Sequence, residues 1–216
     1  MARWPVVLRE GDLVLRPLRR ADGRQWLALR AQNAAWLARW EATTPQPVNG
    51  RAPSFAAFVR TLAESGREGS ALPFAIVFRG DLVGQLTVAT ITRGSLCSGS
   101  IGYWVSEHVA GRGIAPTAVA LATDHCFGPG RLHRVEVNIR PENTASLRVV
   151  AKLGLRDEGV RERYLHIQGQ WRDHWTFAIT AEEVPEGLLA RWRQRRTTSV
   201  SADTPQAIPG SGGMRA

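Results

Sequence analysis

Residues 102–117 read Gly-Tyr-Trp-Val-Ser-Glu-His-Val-Ala-Gly-Arg-Gly-Ile-Ala-Pro-Thr, where an apolar, strand-like run stops, glycines follow and an Ala-rich helix begins. A turn of this kind leaves several backbone N–H groups unpaired. With no side chain at Gly111 or Gly113, a phosphate can approach those groups closely at the positive end of the following helix. The segment predicts a strand, a pyrophosphate cradle and a helix, in that order.

The rest of the chain supplies a sheet for that unit. Residues 13–18 alternate apolar and polar after Gly11-Asp12 and read as a first strand. Two short helices follow over 21–30 and 33–41, with Trp26, Leu27, Leu29, Trp36, Leu37 and Trp40 as their apolar positions. Pro45, Pro47, Asn49, Gly50 and Pro53 mark a loop over 43–53, and Ser54 is placed to cap a helix over 55–65. Segments 74–78, 82–91 and 100–105 are rich in β-branched and aromatic residues, with short turns between them, and read as an antiparallel meander.

Pro116 suits the first turn of the next helix, which ends at Gly128-Pro129-Gly130. Residues 134–140 are then a strand, and a helical crossover of this length makes its pairing with the preceding strand parallel. A helix over 143–153 stops at Gly154, and segments 155–165 and 170–179 form a hairpin across Gln168-Gly169. The order predicts an α+β fold around one central mixed, mostly antiparallel sheet of six to seven strands flanked by helices. Residues 1–196 are expected to form a single domain, with its core in 13–180 and a last helix over 181–196. Residues 197–216, rich in Ser, Thr, Pro and Gly, are expected to be a disordered tail.

A chain of 216 residues, 44% of them hydrophobic, can bury a full core. No segment approaches the roughly 20 uninterrupted apolar residues that a membrane span needs, and Arg3, Arg9, Glu10 and Asp12 break the N-terminus against a signal peptide. A cytoplasmic protein without membrane contact is expected. Cys97 and Cys126 have no metal-ligand spacing and read as small buried residues, and the five histidines form no cluster, so no metal is expected. The net charge of +9, carried almost entirely by arginine, implies an anionic partner: a phosphorylated cofactor, RNA or an acidic surface. Arg191, Arg193, Arg195 and Arg196 sit together near the end and read either as a solvated helix end or as a ribosome or RNA contact.

Four motifs in combination resemble the GNAT acetyltransferases: Gly102-Tyr103-Trp104-Val105, Gly111-Arg112-Gly113-Ile114-Ala115, Pro141-Glu142-Asn143-Thr144-Ala145-Ser146, and Lys152-Leu153-Gly154-Leu155 with Glu158-Gly159. More narrowly, the chain resembles the RimJ/RimL branch, which acetylates the N-terminal amines of ribosomal proteins. The resemblance covers residues 13–179 and implies the GNAT fold with acetyl-CoA as donor. It departs from the family at His108, where Gln or Arg usually opens the phosphate loop, and at Leu155, where Phe is usual.

The resemblance implies roles for particular residues. His108, Ala110, Gly111, Arg112, Gly113, Ile114 and Ala115 belong to the phosphate loop, with Arg112 meeting a phosphate. Backbone groups where the strand of Trp104 and Val105 splays from the strand of Asn138 hold the pantetheine arm. Asn143 and Ser146 share one helix face, so Asn143 is a pantetheine ligand, an N-cap or both, and Ser146 is either the proton donor to the departing thiolate or a capping-turn hydroxyl. Glu136 is the candidate base, acting through water, unless it pairs with Arg134 or Arg161. A weak base suffices, because an α-amino group of pKa about 8 is partly neutral at cytoplasmic pH. Trp40 and Glu41 are candidate acceptor contacts, Glu41 toward a cationic amine or basic peptide.

The expected activity is acetyl transfer to a protein N-terminal α-amine by direct attack on the thioester, in a monomer or homodimer. Two alternatives stay open at this point: an acetyltransferase of a polyamine, an aminoglycoside or another small amine, and an RNA- or ribosome-associated module whose acetyl-CoA site is not catalytic.

Overall fold

The computed structural model describes residues 4–46 and 53–202. Eight strands of the described residues make one sheet: β1 (Leu8–Glu10), β2 (Leu13–Pro17), β3 (Leu72–Phe78), β4 (Asp81–Thr92), β5 (Ser98–Val105), β6 (Arg134–Ile139), β7 (Arg156–Ile167) and β8 (Gln170–Thr180). Their order across the sheet is β1-β2-β3-β4-β5-β6-β8-β7, antiparallel everywhere except between β5 and β6. Among the described residues six helices flank it: α1 (Gly23–Gln32), α2 (Ala34–Ala38), α3 (Phe55–Glu68), α4 (Ile114–Phe127), α5 (Thr144–Leu153) and α6 (Leu188–Ala202). The α+β architecture and the parallel crossover are as the sequence predicts. The additional strand is β1, whose three residues are too few to carry a periodic signal.

Both faces of the sheet are covered, which explains the continuous burial of β3. Phe74 and Ile76 face the larger core with Val119, Ala122, Val150 and Leu153 from α4 and α5. Ala75 and Val77 face the other side, under Leu29 of α1 and Val59 of α3, with Trp26, Phe55, Phe58 and Trp104 packed against them. Ser54 caps α3 as expected, its hydroxyl accepting from the Ala57 N–H at 3.2 Å.

The last helix departs from the sequence expectation at both ends. Residues 181–183 form a single 3-10 turn, and α6 starts only at Leu188 because the Asp124 carboxylate accepts from the Leu188 and Leu189 N–H groups, at 2.6 and 3.1 Å. This anion sits at the positive end of the helix. The helix then continues past Arg196 to Ala202, so residues 197–202 are helical where the sequence reading expects tail. Residues 203–216 of that tail and 47–52 of the expected loop lie outside the described residues.

The feature that places the site is a fork. β5 and β6 pair only from Ser98↔Arg134 to Ser100↔Glu136, after which β6 follows β8 while β5 stays with β4. Asn138 clamps the bottom of the fork: its Nδ2 donates to Ser100 Oγ at 3.1 Å, and its Oδ1 accepts from Thr176 Oγ1 at 2.8 Å.

Candidate active site

A cleft of about 1220 Å³ runs along the open side of the fork. That exceeds what a drug-sized ligand fills, and leaves room for a long donor and an acceptor together. Its floor is Gln85 and Thr87 of β4 with Gly102, Tyr103, Trp104 and Val105 of β5.

One end of the cleft is the glycine loop. Gly111 and Gly113 have φ of 81° and 79°, a left-handed conformation that suits glycine, and a Cβ built on Gly111 meets nothing within 4 Å. α4 begins at Ile114, so the N–H groups of its first turn have no intrahelical acceptor. Ala110, Gly111, Gly113, Ile114 and Ala115 all line the cleft. His108 and Arg112 are exposed and do not line it. Besides Arg30 and Arg39 of the tryptophan-bearing segment, the cations that do are Arg148 and Lys152 of α5, one helical turn apart. Their i, i+4 spacing is visible in the sequence, and it is the signal that finds them. The open loop, the helix terminus and two cations fit a phosphorylated donor.

Asn143 and Ser146 also line the cleft. Asn143 caps α5, its Oδ1 accepting from the Ser146 N–H at 3.1 Å, while its Nδ2 has no hydrogen-bond partner among the described residues. The N-cap is therefore real, and it leaves the amide nitrogen for the cleft. Beside Ser146 stands Tyr103, which the sequence reading names only as part of a motif. Its phenol oxygen is buried without a hydrogen-bond partner among the described residues, and burial pushes its pKa up to about 12, with the Ser146 hydroxyl pulling the other way.

Glu136 requires a correction. It does not line the cleft; its side chain is 14% exposed, with Oε1 accepting from Arg134 Nε at 2.9 Å and Oε2 from Arg161 Nη2 at 2.8 Å. Arg134 also pairs with Glu158, which pairs in turn with Arg156. The carboxylate is committed to an ion-pair network on the sheet, the pairing that was the alternative to a base. Asn138 likewise serves the fork through its side chain, away from the cleft lining.

The other end of the cleft is aromatic, lined by Trp26, Trp36, Trp40, Trp104 and Phe58. Trp40 and Glu41 both reach it, but Glu41 is held by Arg30 in a two-pronged pair, with Arg30 Nη2 at 2.7 Å from Oε2. The Arg30 guanidinium lies over Trp26 and Trp104, and Arg39 and Arg140 lie over Trp40. Glu41 is thus a neutralised wall residue and no free anchor for a cationic amine. No group of three His, Cys, Asp or Glu side chains suited to a metal occurs among the described residues.

The acetyltransferase (GNAT) domain family matches residues 12–156. A probable N-acetyltransferase of Bacillus subtilis (strain 168), YjcK, is 30% identical over 178 residues, covering 80% of this chain and 96% of its own length. The ribosomal protein uS5-alanine N-acetyltransferase of Escherichia coli (strain K12) is 29% identical over 188 residues, 84% of this chain and 94% of its own. Among solved structures, Mycobacterium smegmatis RimJ in complex with CoA-disulfide aligns with a TM-score of 0.81 at 41% identity, covering 88% of this chain and 95% of that one. The forked sheet, its glycine loop and these relatives agree: the chain belongs to the GNAT acetyltransferase family as a RimJ/RimL-like, acetyl-CoA-dependent N-acetyltransferase.

Proposed function

We propose that this enzyme acetylates the N-terminal α-amine of a protein, with a ribosomal protein as acceptor in the cytoplasm. The observation that carries the reading is the single cleft joining the glycine loop to a tryptophan-lined end, with Ser146 and Tyr103 between them. A relative that acetylates the alanine of ribosomal protein uS5, and the likeness to RimJ, support a protein acceptor.

Acetyl-CoA, when bound, supplies the acetyl group as a thioester. The backbone N–H groups from Gly111 into α4 would hold its phosphates together with Arg148 and Lys152. The unpaired edge of β5 past the fork and the Asn143 amide nitrogen would hold the pantetheine arm. Ser146 gives its hydroxyl proton to the sulfur as the C–S bond breaks, and recovers one from the nitrogen that has formed the new C–N bond. Tyr103 stays a neutral phenol, because burial holds its pKa near 12, and hydrogen-bonds the Ser146 oxygen while that oxygen is short of a proton. No carboxylate base is assigned; water at the cleft mouth takes the ammonium proton of the incoming amine.

The aromatic end with its neutralised Arg30–Glu41 pair suits a terminal amine on a peptide. The arginine cluster also has work within the fold: Arg191 donates to the Gly154 and Glu183 carbonyls, Arg193 pairs with Glu10, and Arg195 donates to the Ala151 and Lys152 carbonyls. Those bonds engage the cations that an RNA-binding module would use. The test is competition among N-terminal peptides, polyamines and aminoglycosides for acetyl-CoA: the reading predicts a peptide as the acceptor with the highest kcat/KM, and a polyamine or aminoglycoside ahead of every peptide overturns it.

A further inference from the structure

Asn33 sits at the junction of α1 and α2 and is 3% exposed. Its Oδ1 accepts from the Glu107 N–H at 2.9 Å, and its Nδ2 donates to the Leu29 carbonyl and to Ser106 Oγ, both at 2.8 Å. Ser106 is 1% exposed, and its hydroxyl also lies 3.1 Å from Asn33 Oδ1 and 2.7 Å from His108 Nδ1. The asparagine amide therefore has both donors and its acceptor engaged, in a buried place where leaving any of them unmet is costly.

These bonds join two sides of the cleft. α1 and α2 carry Trp26, Arg30 and Trp36 of the aromatic wall, while Glu107 opens the turn that leads through Val109 and Ala110 into the glycine loop. The loop's far end is fixed separately, where Thr117 Oγ1 donates to the Gly113 carbonyl at 2.8 Å and accepts from Trp192 Nε1 at 2.9 Å. Between the two anchors stand two glycines in left-handed conformation, which have the most backbone freedom to lose. An unanchored loop pays that ordering cost when the donor binds; an anchored one has already paid it.

We infer that Asn33 is a positioning residue for the phosphate loop, setting Gly111 and Gly113 in register with the tryptophan-lined wall and pre-organising them for the donor. The inference rests on the N-acetyltransferase activity of the family and is independent of the acceptor's identity.

The experiment is calorimetric titration of CoA into the wild-type enzyme, Asn33→Ala and Ser106→Ala, with thermal unfolding of each to establish the folded fraction. Asn33→Ala is expected to weaken CoA binding about tenfold through lost pre-organisation, and Ser106→Ala about threefold, because the Glu107 N–H still donates to Asn33 Oδ1. In turnover, Asn33→Ala raises KM for acetyl-CoA by a larger factor than it lowers kcat. A residue that only stabilises the fold would lower the melting temperature and leave the CoA affinity of the folded protein at the wild-type value, and that result overturns the inference. Should Asn33→Ala not fold, Ser106→Ala decides: wild-type CoA affinity there overturns it equally. Failure of the wild-type enzyme itself to bind CoA would instead overturn the donor site.

Discussion

Asn143 Oδ1 accepts from the Ser146 N–H at 3.1 Å, so one side chain both starts α5 and holds the backbone of a cleft-lining serine. The two residues separate cleanly in their expected effects. Ser146→Ala keeps the cap and removes the proposed proton donor, so kcat is expected to fall about 100-fold with KM for acetyl-CoA little changed, as steady-state kinetics will read. Asn143→Ala removes the cap, costs about 1 kcal/mol of stability in thermal or denaturant unfolding, and raises KM for acetyl-CoA.

Tyr103→Phe removes a buried hydroxyl that has no hydrogen-bond partner among the described residues. A group kept only for packing would be better off without it, so the variant is expected to be as stable as wild type or more stable, by up to about 1 kcal/mol. kcat nevertheless falls about tenfold, because the phenol proposed to hydrogen-bond the Ser146 oxygen while it is short of a proton is gone. Combining it with Ser146→Ala adds little further loss, and a fully additive double variant would contradict the pairing.

Gly113→Ala tests the loop. A Cβ there meets only the Trp192 ring at 3.7 Å, an ordinary contact, so the penalty comes from the backbone at φ 79°. About 1–2 kcal/mol of stability is expected to be lost, together with donor affinity, measured by unfolding and by CoA titration.

Acid should act on stability through the ion-pair network. Hydrogen bonding from Arg134, opposed by desolvation and helped by Arg156, lowers the Glu158 carboxyl from 4.5 to about 2. A depressed folded-state pKa gives stability that is present above about 4.5 and is lost as pH falls toward 2. Glu158→Gln should therefore flatten the loss of stability across that window, followed by unfolding midpoints at several pH values. Glu136→Gln is expected to lower stability while leaving kcat/KM within about twofold, since no proton transfer is assigned to it; a loss above about 100-fold would restore it as the base.

Local chemistry made most of the fold legible. Glycine and proline punctuation, the two-residue period of β2 and β6, and the Asn143 cap depend on residues close in sequence, and these features stand where the pattern predicts them. What was hidden depends on which strands become neighbours. Arg134 is two residues from Glu136 on its own strand, a pairing the sequence already offers, whereas the β6-β8-β7 order is what brings Arg161 to Glu136 and Arg134 to Glu158. The start of α6 is set by Asp124, 64 residues earlier, and Asn33 reaches Ser106 across 73 residues. Arg30 and Glu41 are closer in sequence, yet their pairing depends on the turn between α2 and the following loop, and that geometry has no period to read.

The most direct measurement is tandem mass spectrometry on a peptide carrying a ribosomal-protein N-terminus and one internal lysine, incubated with acetyl-CoA and the enzyme. The account predicts one acetyl group, on the α-amine, formed by wild type and nearly abolished in Ser146→Ala. Acetylation of the lysine alone, or none on any of a panel of such peptides while CoA still binds, would contradict it.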